Sequence, residues 1–322
     1  MVLEKRVNIP LSALDRMTHV LNHLGVTEMT QCNDEVGCLI PQQKENEKPL
    51  TKMPISNDVI FVTDPICSHC WAIEPMWRRL VLNYHLKVKY IHGGLLPGWQ
   101  GFGDANNGIS KPSDVIPHWQ HVAQHYQQPI DPSMWHSDPI SNSYILCKAA
   151  IAVRYLAPNL ESAFVRHLRE KIFLYAINVA KESELLICAN AFNLDPKKFQ
   201  FLLNSSDIDH IFTQEKQAMY GLGARGFPSI IFTGTKQQTV AGSQPYQKLE
   251  QTLMNCFGEA IVPRNLTEEE KLLSFPSWTL REATEVLQCH DEYARKQLQA
   301  LGFVKTAIAD SELWQNKSMK MT

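Results

Sequence analysis

No run in this 322-residue chain approaches the ~18 consecutive apolar residues that a membrane helix requires, so no membrane span is expected. The opening MVLEKRVNIPLSALDRMTHVL is broken by charges and lacks the apolar stretch of a secretory signal, so a cytoplasmic protein is expected. Eight cysteines are far too dilute for a disulfide scaffold. Charge of one sign is also missing: 31 basic side chains face 33 acidic ones, a formal net charge of −2. Binding nucleic acid through bulk charge needs a basic excess, so no nucleic-acid partner is expected. There is no P-loop run, internal repeat or low-complexity tract, and no organic cofactor is implied. What remains, 44% hydrophobic and 20% charged residues, is ordinary for a globular protein.

Residues 1–56 read as an appendage. Leu11, Leu14, Met17, Leu21 and Leu24 recur at helical spacing, with Gly25 placed to end that helix. A polar stretch with three prolines follows from Pro41 to Asp58 and reads as a linker. The pattern then changes. Val59–Val62 is a short β-rich run, residues 67–84 carry Trp71, Trp77, Leu80, Val81 and Tyr84 on a helical stripe, and Val88–His92 is a second strand ended by Gly93-Gly94. Strand, helix, strand at this spacing predicts a βαβ unit with a parallel pair. Residues 95–140 predict a long loop with a short helix, and helical periodicity dominates from about 141 to 221. Short strands at Ser229–Phe232 and Gln238–Ala241 and a helix at Tyr246–Phe257 follow. Residues 262–275 are polar, and about 276–315 predicts two or three short helices.

The sharpest feature is Cys67-Ser68-His69-Cys70. A lone CxxC is weak evidence, but this one follows a strand, opens a helix and sits in a βαβ unit, which is the setting of a redox motif. Zinc would want a second ligand pair at similar spacing, and no second CxxC exists, so no metal is expected. The first turn of a helix offers unpaired N–H groups and the positive end of its dipole, which stabilise an anion. Cys67 is therefore expected to be the thiolate nucleophile, with a pKa well below the ~8.5 of a free cysteine. Cys70, one turn inward, is expected to be the buried resolving thiol, and His69 to add positive charge beside Cys67. Much farther on, Gly226-Phe227-Pro228-Ser229 enters a strand. Pro228 there is either a plain edge proline or a cis proline that presents its neighbour's backbone to a peptide.

The segments DPICSHCWAIEPMWRRL, YIHGGLLPGW and GLGARGFPSIIF resemble the DsbA-type branch of the thioredoxin superfamily, and within it the FrnE-like predicted protein-disulfide isomerases. Pro75, eight residues after Cys67, matches the proline that kinks the active-site helix of such proteins. The resemblance covers about residues 57–258. It implies Cys67 as nucleophile, Cys70 as resolver, Ser68 and His69 as the tuning dipeptide, and Pro228 as a cis proline beside the disulfide. Phe227 would then pair its backbone with substrate. A related cytoplasmic branch comprises adaptor proteins that deliver a transcription regulator to the ClpXP protease, using the same fold chiefly as a binding platform.

Other features receive plainer readings. His118, His121 and His125 are expected on a solvated helix face rather than at a metal. Cys32 and Cys38 are read as a reduced segment, with a disulfide or an electron relay as the alternative. Cys147, Cys188, Cys256 and Cys289 read as small core residues. Glu74 is expected to be an exposed early-turn carboxylate, with a partly buried acid that assists proton transfer to Cys70 as the alternative, and Trp99, Trp119 and Trp135 fit a substrate groove and ordinary packing equally. The expectation is an α/β thioredoxin fold with a helical insertion at about 95–220. An N-terminal helical extension (1–56) and a C-terminal linker with a small helical module (259–322) flank it. The expected function is thiol-disulfide oxidoreductase, or protein-disulfide isomerase, on protein or peptide thiols, with a reductase or glutathione for recycling. The alternative is a protease adaptor or redox-sensing binding protein.

Overall fold

The computed structural model describes residues 32–33, 37–39, 58–104 and 107–319. The leucine-spaced helix expected before Gly25 and the linker at 41–57 lie outside them. In chain order come two short strands, β1 (Cys32–Asn33) and β2 (Gly37–Leu39), and then β3 (Val59–Thr63). Two helices follow, α1 (Ser68–Ala72) and α2 (Glu74–Asn83), before β4 (Val88–His92). The stripe that reads as one helix is thus two, parted at Ile73. Pro75 sits in the first turn of α2, where its missing N–H costs nothing, but its ring bars an unbroken helix through it.

The insertion holds α3 (Val115–Tyr126), α4 (Met134–Ser137), α5 (Tyr144–Leu156), α6 (Glu161–Arg169), α7 (Glu182–Ala191), α8 (Pro196–Leu203) and α9 (Ser206–Gly221). The chain returns through β5 (Gly226–Phe227), β6 (Ser229–Thr233), β7 (Gln237–Ala241) and α10 (Tyr246–Phe257). The central sheet runs β4-β3-β6-β7. β3 pairs parallel with β4, as the βαβ reading requires, and antiparallel with β6, where Val62 faces Ser229.

All five residues of β3 are buried, because helices cover both faces of the sheet. Its side chains alternate between two cores. Ile60 and Val62 join Cys67, Cys70, Trp71 and the insertion helices, while Val59 and Phe61 pack with Trp77, Leu80, Leu249 and Leu253. Gly93, just past β4, is where the first core leaves no room. A Cβ there would meet ring atoms Cε1 and Cζ of buried Phe227 and lie 2.7 Å from Met219 Sδ. Gly93→Ala is therefore expected to cost about 1–3 kcal/mol through overpacking. A lowered urea midpoint at unchanged slope is the readout, and an unchanged midpoint would show that Phe227 yields freely.

The C-terminal segment carries the two expected helices, α12 (Leu280–Leu287) and α13 (Asp291–Ala300), preceded by a short α11 (Glu268–Leu272). It is not wholly helical. β8 (Ser277–Thr279), β9 (Val304–Ile308) and β10 (Ser311–Gln315) form an antiparallel sheet in the order β8-β10-β9. The looser end expected as a helix is the β9–β10 hairpin, turned by Ala309 and Asp310, both at positive φ. This module packs against α2 around Trp278, Val286, Leu298 and Leu82. Among the described residues no helix is long and apolar enough to cross a membrane.

Candidate dithiol site

Cys67 is the N-cap of α1, with an extended backbone (φ −72, ψ 112), and its Sγ accepts a hydrogen bond from the Cys70 N–H at 3.2 Å. That donor is one of the orphan amides of a helix start, so a negative sulfur gains most from it. No disulfide joins the two thiols, and both are fully buried. Burial pushes the Cys70 thiol well above its ordinary value of 9.0, and its hydrogen bond and charge coupling to Cys67 push it further. Arg169 and Thr63 oppose this only in part. Burial thus favours the protonated form of Cys70.

The motif's middle residues face α3. Ser68 Oγ lies within hydrogen-bond distance of His118 Nε2, at 3.2 Å. The His69 ring is buried, 5.6 Å from the His118 ring and 5.8 Å from that of Tyr126. The expectation of a solvated histidine face is therefore corrected for His118, which is half-buried over the motif. His121 and His125 are exposed, as expected. The described residues contain no group of three side chains able to hold a metal ion.

A buried polar layer lies beneath the thiols. Asp64 accepts from the N–H groups of Ile66 (2.9 Å) and Leu95 (2.7 Å) and from Ser143 Oγ (2.9 Å), tying the motif's approach segment to the loop after β4. Burial raises its pKa, and these donors hold it down in part. Arg169 donates to Glu74 at 2.6 Å and also to Thr63 Oγ1. Glu74 is thus not the exposed carboxylate expected. It is 7% exposed and also within ion-pair distance of Arg78 and Arg166. The same network reaches the C-terminal module through Glu282, which binds Arg166 and Arg78. None of these arginines carries a motif, so only the fold reveals the network.

The Phe227–Pro228 bond is cis. Because Ser229 pairs with Val62, that bond lies at the end of the sheet where β3 runs out toward Cys67. Phe227 is buried in the same cluster as Cys67 and Cys70. On the backbone side, β2 pairs antiparallel with β5, setting Cys38 opposite Phe227 and Leu39 opposite Gly226. The preceding run, Gly221 to Gly226, spells G-x-G-x-x-G, the glycine pattern of dinucleotide sites. It ends a helix and enters a strand, the reverse of the context such sites need, and Gly223 (φ +79) simply turns the chain after α9.

A small cleft of about 50 Å³ opens beside the motif, lined among others by Ile66, Ser68, Trp99, His118, Trp119 and Trp135. Trp119 and Trp135 are buried and meet edge to face at 5.2 Å. These tryptophans are core residues and cleft wall at once.

The family model described as thioredoxin matches residues 60–251, well over half of the chain. The protein therefore belongs to the thioredoxin family, with the helical block between β4 and β5 that marks the DsbA-type form. Among curated proteins, the ClpXP adapter protein SpxH of Halalkalibacterium halodurans is 28% identical over 282 residues, covering 84% of this chain and 91% of that protein. Among solved structures, the cytosolic disulfide reductase DsbM of Pseudomonas aeruginosa matches with a TM-score of 0.51 at 19% identity, covering 61% of this chain and 98% of that one. The same protein with GSH matches with a TM-score of 0.50 at 18% identity, covering 61% and 98%.

Proposed function

We propose that this chain is a cytoplasmic adaptor that presents a protein substrate to the ClpXP protease, and that its fold also holds a dithiol competent in thiol–disulfide exchange. The adaptor half is supported by the name of the H. halodurans relative, whose likeness spans nearly the whole of both chains. The exchange half is carried by one observation, the Cys70 N–H directed at Cys67 Sγ at a helix start. Cys67 is read as the nucleophile, Cys70 as the resolver, Ser68 and His69 as the tuning pair, and Phe227 and Pro228 as the peptide-facing edge. Attack by the Cys67 thiolate on a protein or peptide disulfide gives a mixed disulfide, which Cys70 resolves. A reductase or glutathione would return the pair to its dithiol form, and the fold's likeness to a reductase studied with GSH agrees with that.

Adaptor and exchange functions separate in one assay. Purified protein added to ClpXP and the transcription regulator that such adaptors deliver should accelerate the regulator's proteolysis. No acceleration would leave a stand-alone oxidoreductase as the better reading.

A further inference from the structure

The second step of exchange is the one this fold makes hard. Cys70 must ionise to attack, yet it is fully buried in the apolar cluster that holds Ile60, Val62 and Trp71. A thiolate in such a place is costly unless hydrogen-bond donors meet it. While Cys67 is free, its hydrogen bond and charge push the Cys70 thiol up alongside burial. In a mixed disulfide Cys67 carries no charge, and that push disappears. What then opposes burial is the Arg169 charge and the Thr63 hydroxyl. Thr63 ends β3 and is itself fully buried. Its Oγ1 accepts from Arg169 Nη2, and the same nitrogen lies 3.4 Å from the Asp64 carbonyl oxygen. A hydroxyl has a single hydrogen to give. With the guanidinium on its acceptor side, that hydrogen is left for Cys70, which shares a side-chain hydrogen bond with Thr63. Donation into the hydroxyl oxygen also polarises the O–H and strengthens it as a donor. Arg169 is fixed in turn by Glu74 Oε1, which accepts from its Nη1 at 2.6 Å.

We propose that Thr63 is a catalytic residue of the exchange reaction, its hydroxyl donating to Cys70 Sγ as that sulfur becomes the resolving thiolate, and that Arg169 is the positioning residue that aims it. The proposal rests on the exchange half of the function given above. In the mixed disulfide, Cys67 Sγ is bonded to the substrate sulfur. The Cys70 thiol gives up its proton, the Thr63 O–H holds the resulting thiolate, and Cys70 Sγ attacks Cys67 Sγ. The Cys67–Cys70 bond forms, the bond from Cys67 to the substrate breaks, and the substrate sulfur leaves as a thiolate that takes up a proton. The two cysteines are thereby oxidised and the substrate disulfide is reduced, with no further oxidant consumed. The other charged and titratable groups near Cys70 are committed elsewhere. Glu74 of α2 is paired with Arg169, Arg166 of α6 lies with its Cζ 4.4 Å over the Trp71 ring, and Asp64 is spent on Ile66, Leu95 and Ser143. The His69 ring faces His118 and Tyr126.

Reduced full-length protein mixed with glutathione disulfide, acid-quenched at intervals and weighed by mass spectrometry, separates the Cys67–glutathione adduct from the Cys67–Cys70 disulfide. Thr63→Val, which keeps the shape and removes the donor, should form the adduct at the wild-type rate. It should resolve that adduct about tenfold more slowly at neutral pH, the weight of one hydrogen bond to a charged group. Losing the donor leaves the Cys70 thiol higher, so the pH profile of resolution should move to higher pH and the deficit should shrink in alkali. Thr63→Ser restores the hydroxyl and should resolve close to the wild-type rate. Arg169→Lys keeps the charge but loses the planar fork that bridges Thr63 and Glu74, so it should slow resolution in the same direction. Thr63→Ala serves the same comparison if Thr63→Val fails to fold. Wild-type resolution in the variant without the hydroxyl, a Thr63→Ser as slow as that variant, or a slow variant with an unshifted pH profile overturns the role given to Thr63. Full-rate resolution in Arg169→Lys overturns the positioning role. Wild-type protein whose Cys67 takes up no glutathione refutes the exchange reading beneath both.

Discussion

Glu282→Ala should lower the stability of the folded protein by about 3–5 kcal/mol, the usual consequence of removing one partner from a buried ion pair. Glu282 is fully buried, accepts from both terminal nitrogens of Arg166 (3.0 Å for Nη2), and lies 3.3 Å from Arg78. It also takes hydrogen bonds from Gln128 Nε2 (3.0 Å) and the Thr279 N–H (2.9 Å), closing the capping box that starts α12. Without it, Arg78 and Arg166 keep Glu74 and Glu170 nearby but lose the carboxylate they share. The cost falls at the seam between the thioredoxin domain and the C-terminal module, so limited proteolysis should cut residues 259–319 at lower urea than in the wild type. Glu282→Gln, which keeps the shape and the acceptor oxygen, should lose less. The pH dependence has a definite sign. Burial alone would raise the Glu282 carboxyl pKa, but the two guanidinium groups outweigh it and hold the value below 4.5. Its stabilisation is therefore complete above pH 4.5 and is lost as pH falls through the lower folded value. The gap between wild type and Glu282→Ala should narrow only in that acid range. A gap that is small at neutral pH would mean that solvent relaxes into the site.

Cys67→Ser should abolish insulin-disulfide reduction outright, while Cys70→Ser should retain the attack and accumulate mixed disulfides. The asymmetry follows from the first turn of α1, where the Cys70 N–H is spent on Cys67 while the Cys70 thiol is driven up by burial and by that neighbour. Below pH 9 an alkylating agent should accordingly label Cys67 ahead of Cys70 in the reduced protein, with thiolate absorbance against pH, and Cys67→Ser as the blank, giving the same order. Equal labelling of the two, or activity surviving in Cys67→Ser, would remove the nucleophile from the account.

The parts of this protein legible in its sequence are those whose signal is local. β3, β4, α10 and the motif all announce themselves within a few residues, through a buried apolar run, a period-3.6 stripe or a strand-to-helix CxxC. The half-burial of His118 had no discriminating local signal: it borders the Val115, Trp119, Val122 stripe of α3, but His125, seven residues on, falls within about 20° of it on the helix and is exposed. The β9–β10 hairpin had none: β9 is largely exposed, and its Ala309-Asp310 turn lacks the Asn-Gly or Asp-Gly pair that marks such turns. Pairings remote in sequence were equally invisible. Glu282 with Arg166, and Cys38 with Phe227, are properties of the assembled chain. So is the burial of Glu74, since an acidic residue in a first turn reads as solvated until its arginines arrive from α6.

The central claim is that this chain is an adaptor that also carries a working dithiol, and the decisive measurement is the rate of regulator proteolysis by ClpXP with three additions: buffer, wild-type protein, and the Cys67→Ser, Cys70→Ser double variant. Thiol exchange is followed in the same samples. The account predicts that both proteins accelerate proteolysis to the same extent while only the wild type exchanges disulfides. Wild-type protein that leaves the rate at the buffer level would contradict it, and so would a double variant that loses the acceleration while remaining folded.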